Sequence, residues 1–174
     1  MSLRHALLGL LAQDPHTGYG LVKHFQGSLN YAWAAQHSQI YPELARLLDA
    51  GLIRRRGEEG PRGAKTYETT EAGLVELRRW LRETAPDRRV RSDPALRLFF
   101  LWLLEREEAI AYLERERDFY RALLAEYEQI AAEGEPRTPK EWSYRIALEG
   151  GIRGARARVE WAEWAAERVR SLPW

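Results

Sequence analysis

The 174 residues carry 45% apolar and 30% charged side chains with a net charge of +1, which supplies a core and a soluble surface. The chain has no cysteine, so disulfide scaffolds, thiol catalysis and cysteine-bound zinc are excluded. No apolar run approaches the roughly 18–20 residues that span a bilayer, and the start of the chain lacks a signal-peptide cleavage pattern, so a cytoplasmic location is expected.

Leu3, Leu7, Leu8, Leu10 and Leu11 mark a buried first helix that stops before Asp14-Pro15, because the residue before proline avoids the helical region. Thr17 is placed to cap a second helix over 18–26, with Tyr19, Leu21, Val22 and Phe25 as its apolar positions. Ser38 is placed to cap a third helix over 38–50, whose inward stripe is Ile40, Leu44, Leu47 and Leu48. Pro42 loosens its first turn and Gly51 ends it. Two short strands, 52–56 and 64–69, flank the turn-rich 57–63 and predict a hairpin. Thr70 then caps a fourth helix to about Glu83 with Leu74, Leu77, Trp80 and Leu81 inward.

Residues 86–94 are polar, hold two prolines and show no apolar period, so they read as a connector between domains 1–85 and 95–174. Beyond it the chain is expected to be all helix: a compact apolar helix over 95–104, a long amphipathic one over 107–133, and a last one over 142–169. In the last, Leu148, Ile152, Ala155, Val159, Ala162, Ala166 and Val169 alternate steps of four and three, a coiled-coil seam that predicts a dimer interface. Trp161 and Trp164 lie off that seam and give the helix a second apolar face.

Charge is uneven. Residues 1–85 hold eleven Lys/Arg against nine Asp/Glu, and 86–174 hold sixteen against seventeen. Arg54, Arg55, Arg56, Arg62 and Lys65 form a basic knot around Glu58 and Glu59. Three helices followed by a basic hairpin is the winged helix-turn-helix arrangement, in which the second helix braces the third and the third enters the major groove. The expected groove-facing residues are His37, Ser38, Gln39, Tyr41, Glu43 and Arg46. Gln39 suits adenine, Arg46 suits guanine or phosphate, and Arg62 and Lys65 suit phosphate. The fold class expected is mainly α: a winged helix-turn-helix domain followed by an all-α dimerisation region.

The residues resemble the PadR family of bacterial transcriptional regulators. The likeness runs through Leu7-Leu8-Gly9-Leu10-Leu11 and Thr17-Gly18-Tyr19-Gly20-Leu21. It is most specific at Ile40-Tyr41-Pro42-Glu43-Leu44-Ala45-Arg46-Leu47 ahead of Gly51-Leu52-Ile53, and closes at Lys65-Thr66-Tyr67 and Thr70-Glu71-Ala72-Gly73. Thr17 stands where the family often has His, and Gly20 where it often has a polar residue. The two long helices look like the dimerisation region of the longer members. The resemblance implies a homodimeric repressor of a palindromic operator, released in several members by a small aromatic molecule. The alternative is a winged-helix adaptor that holds a protein partner and has lost DNA binding, which the near-neutral charge favours and the basic hairpin disfavours.

His5, His16, His24 and His37 fall on different expected elements without a carboxylate cluster, so no metal site, and likewise no cofactor, is expected. No Ser/His/Asp arrangement or phosphate loop stands out, so an enzyme is not expected. Trp80, Trp102, Trp161 and Trp164 sit in apolar stripes and are expected mainly in cores. Trp33, Trp80, Phe99, Phe100 and Trp102 are also the candidates for an effector cleft lined by aromatics.

Overall fold

In this computed structural model, residues 2–26, 37–57, 65–87 and 92–174 are described, and the chain divides into two compact units, Met1–Arg88 and Arg89–Trp174.

The first unit opens with α1 (Ser2–Gln13), which buries Leu7, Leu8, Leu10 and Leu11 and ends ahead of Pro15. A two-residue strand, β1 (His16–Thr17), follows. Nothing in the sequence announces it, since two residues have no period to read. α2 (Gly18–Gln26) starts with Thr17 Oγ1 accepting the Gly20 N–H at 3.1 Å, the expected cap. α3 (His37–Asp49) begins one residue before the expected cap, so Ser38 lies inside the first turn and is exposed. Pro42 stays within this helix, at the cost of the bond its N–H would make to the Ser38 carbonyl. Burial of Ile40, Leu44 and Leu47 holds the helix together around it. Gly51 ends α3 at φ 67°, where its N–H reaches the Leu48 carbonyl at 2.9 Å and that of Leu52 reaches Leu47 at 3.0 Å. That pair of bonds satisfies two terminal carbonyls and needs a residue at ease with positive φ.

β2 (Ile53–Arg55) and β3 (Thr66–Thr69) pair antiparallel, with Ile53 opposite Thr69 and Arg55 opposite Tyr67. β1 adds to the other edge of β3, giving a three-stranded sheet in the order β1-β3-β2 rather than the bare hairpin expected. Thr70 caps α4 (Glu71–Glu83), accepting the Gly73 N–H at 3.2 Å and donating to the Gly51 carbonyl at 2.8 Å. A Cβ on Gly73 would stand 2.2 Å from the Leu52 carbonyl oxygen, so the close seating of α4 on the α3–β2 turn requires glycine there. Leu7, Leu8, Leu21, Phe25, Ile40, Leu44, Leu47 and Ile53 form one core among the three helices and the sheet.

In the second unit α5 (Asp93–Leu98) begins inside the expected connector, with Ser92 as its cap and Pro94 in its first turn. It stops at Leu98, and a 3₁₀ turn over Leu101–Leu103 replaces the rest of the helix expected over 95–104. The run of apolar residues there has no single stripe, so nothing holds an α-helical register. α6 (Arg106–Ala131) and α7 (Pro139–Ser171) then form an antiparallel hairpin. Its register shows in Arg170–Glu114 at 2.5 Å, Arg121–Glu163, Arg156–Glu128 at 2.8 Å and Arg145 Nη1 to the Ala131 carbonyl at 2.6 Å. α7 starts on a capping box between Thr138 and Glu141.

The hairpin corrects one expectation. Ile152, Ala155, Ala162, Ala166 and Val169 are buried within the single chain, Leu148 and Val159 partly so, and Ala166 and Val169 pack with Ala109 and Leu113 of α6. The seam expected at a dimer interface is filled by the chain's own α6. A seven-residue stripe says that a helix will lie on it, not whose helix, and a short turn holds α6 at a high effective concentration.

Candidate nucleic-acid interface

α3 buries Ile40, Leu44 and Leu47 and turns the opposite face outward. Ser38, Gln39, Pro42, Ala45 and Arg46 are exposed on that face. Pro42 and Ala45 were absent from the expected set, although counting 3.6 residues per turn from the buried stripe puts both opposite the core. His37 opens the helix, and its side chain lies outside the description. Tyr41 is at the edge of the face. A Cβ on Gly18 would come 2.7 Å from Tyr41 Cε1, so the tyrosine ring rests directly on the first residue of α2. Tyr41 therefore joins the bracing helix to the reading helix, while 45% of its surface stays exposed. Arg46 is 75% exposed and donates from Nη1 to Glu43 Oε2 at 2.9 Å.

The wing is less basic than the sequence count suggests. β3 puts Glu68 opposite Arg54, where its carboxylate takes the Arg54 Nε–H at 2.6 Å and stands 3.6 Å from Arg56 Nη1. Glu68 lies outside the basic knot in sequence, and only the strand register brings it in. Lys65 is half-buried just ahead of β3, and Arg62 lies outside the described residues.

The candidate effector residues fall on separate parts of the chain. Trp33 is outside the described residues. Trp80 belongs to the first unit, where its ring stacks on His5 at 4.6 Å and 7°. His5 is buried and lies 3.1 Å from Glu76, which also binds Arg79 through both carboxylate oxygens. The Arg79 hydrogen bonds first, and that of His5 second, lower the Glu76 carboxyl to about 2. Phe99, Phe100 and Trp102 belong to the second unit and are all exposed. The core role expected for Trp102 and Trp164 is thus corrected, at 69% and 59% exposure. Trp161 is half-buried against the α6–α7 core.

Two histidines eight apart in sequence meet in space. β1 turns His16 back over α2, and its ring centroid lies 4.5 Å from that of His24. Burial lowers the His16 pKa, His24 lowers it further, and Asp14 opposes both. Among the described residues no three metal-ligating side chains gather, and no helix is long and apolar enough to cross a membrane.

Residues 7–79 match the profile of the transcriptional regulator PadR-like family, and residues 90–170 match that of the virulence activator alpha C-terminal region. The negative transcriptional regulator PadR of Bacillus subtilis is 31% identical over 170 residues, covering 92% of this chain and 93% of that protein. The crystal structure of Bacillus subtilis PadR in complex with operator DNA superimposes with a TM-score of 0.87 at 28% identity, covering 97% of this chain and 99% of that one. The same protein in complex with p-coumaric acid gives 0.82 at 29% identity, over 98% and 100%.

Proposed function

The chain belongs to the PadR-like family of transcriptional regulators, and from that membership we propose that it is a DNA-binding repressor that acts as a homodimer on a palindromic operator. The observation that carries the reading is the outward face of α3. It presents Ser38, Gln39 and Arg46, with Pro42 and Ala45 between them, on a helix locked from behind by Ile40, Leu44 and Leu47. Such a face fits the major groove, with Gln39 and Arg46 at base edges and His37, Ser38 and Tyr41 beside them. Arg62 and Lys65 of the wing take phosphate. The protein works by binding, without catalysis or a cofactor, and in the cytoplasm.

Residues 1–85 read DNA and 95–174 dimerise, joined by the connector 86–94. The dimer surface is drawn from exposed apolar residues of the second unit, among them Phe99, Phe100, Trp102, Ile146 and Trp164, in place of the α7 seam. A single chain leaves these large side chains in water, and a two-fold partner removes them from it. A small aromatic ligand releases the DNA. The p-coumaric acid complex of the relative supports that class of effector, which stacks on the ring faces of Phe99, Phe100 and Trp102 that the two-fold contact leaves open. The effect of such a ligand is capped by its preference for one dimer arrangement over the other.

Footprinting on DNA upstream of the protein's own gene, at several salt concentrations, tests the reading. A protected palindrome whose affinity falls steeply with salt is expected, since phosphate contacts release counterions. Salt-independent retention of a protein partner with no affinity for duplex DNA indicates the adaptor instead.

A further inference from the structure

The reading helix carries an ion pair between unequal partners. Glu43 and Arg46 are one turn apart on α3, joined at 2.9 Å, yet the arginine is 75% exposed and the glutamate only 16%. A pair of this kind on a helix surface contributes little to stability. Its consequence is geometric. Arginine is long and has many rotamers, and a carboxylate that accepts from one terminal nitrogen removes most of them. The guanidinium has five N–H groups, so one bond to Glu43 leaves the donors needed for the two acceptors of guanine, O6 and N7. The carboxylate has a second effect. Sheltered behind Arg46, it presents little surface of its own, but its charge opposes the approach of phosphate. The wing arginines Arg54 and Arg56 show the same device with Glu68, itself 18% exposed.

We propose that Glu43 is a positioning residue that sets base specificity: it holds the Arg46 guanidinium for a guanine in the major groove and keeps it off the phosphates. The inference rests on the DNA-binding reading above and adds to it which residue orients the arginine and which base it reads.

The test uses the full-length protein and the operator found by footprinting, with every base pair of one half-site substituted in turn. Wild type, Glu43→Ala, Glu43→Gln, Arg46→Ala and the double variant Glu43→Ala with Arg46→Ala are compared, after thermal melting has shown each to fold. One G·C pair is expected at which wild type prefers guanine on the order of tenfold. Arg46→Ala and Glu43→Ala should each flatten the preference at that same pair, and the double variant should lose no more than either. Glu43→Ala should also bind random duplex severalfold more tightly with a steeper salt slope. Glu43→Gln, which keeps an acceptor but not the charge, should retain part of the guanine preference. If Glu43→Ala keeps the full preference, or Arg46→Ala weakens all sequences alike, the proposal is overturned while the DNA-binding reading stands. If wild type protects no sequence at all, the functional reading itself fails.

Discussion

The two units are held together by different means. The first packs large side chains, Phe25, Leu7, Leu8, Leu21, Ile40, Leu44 and Leu47, into a single core that three helices and a sheet enclose. The second is centred on a two-helix hairpin whose buried positions alternate alanines, Ala109, Ala155, Ala162 and Ala166, with Leu113, Ile152 and Val169, while most of its aromatic residues, Phe99, Phe100, Trp102 and Trp164 among them, face outward. Small residues let helices approach closely but remove little area from water per contact. The winged unit therefore has the core of a domain that folds alone. The hairpin has the surface of an element completed by something else.

This contrast is breakable at several points. The largest effect is expected from Leu47→Ala, fully buried in the first core, which should cost about 2–5 kcal/mol in chemical denaturation of the winged unit. If it costs no more than Ala162→Gly in the second unit, the two cores are equally strong. Gly73→Ala comes next. Its new methyl meets a backbone carbonyl that cannot rotate away, so a loss of roughly 1–3 kcal/mol is expected by the same measurement.

A third variant sharpens the comparison from the other side. Replacing Phe99 and Trp102 together by serine should leave the melting of the winged unit unchanged, because both are exposed in the second unit. On the homodimer proposed above, the sedimentation mass should nevertheless fall from dimer to monomer. A dimer that survives the change puts the interface elsewhere. Val159→Asp, in the half-buried seam, should instead loosen the α6–α7 hairpin itself, read as lost helical signal.

The smallest effects are those of pH on the first unit. Glu76 titrates near 2 in the folded chain, below its ordinary 4.5. Its contribution is complete above the unfolded value and is lost as pH falls from there through about 2. Glu76→Gln should flatten that part of the stability profile. His16 is also lowered, but it is a base, so the unfolded chain takes up its proton first and stability declines as pH falls below 6.5. His16→Asn should remove that decline. A profile unchanged by the substitution would mean that burial and the His24 contact together do not lower His16.

Within the winged unit, helix positions were readable because long periodic segments and caps agree with one another. Ile40, Leu44 and Leu47 fix which side of α3 faces the core, and Thr17, Thr70 and Gly51 mark boundaries by hydrogen bonds made within a few residues. β1 was not readable, because its only reason to exist is the free edge of β3. For the candidate site, the outward face of α3 follows from the same period. The Glu68 clasp on Arg54 and Arg56, the Tyr41–Gly18 contact and the His16–His24 meeting do not, since they join residues through a strand register, a helix crossing and the turn of β1 over α2.

Local chemistry in the sequence determined the winged helix-turn-helix order, the caps, the breaks at Pro15 and Gly51, and the existence of a helical seam from Leu148 to Val169. These depend on interactions within one or two turns of chain, and the residues that make them are adjacent in the text. Tertiary structure alone decided which surface answers that seam, leaving it to α6 of the same chain and Trp164 to solvent. It also decided that Arg54 and Arg56 stand beside Glu68 and that Arg156 stands beside Glu128. Those outcomes turn on long-range pairing, in which an apolar stripe or a charge specifies the kind of partner it needs and geometry selects among the candidates.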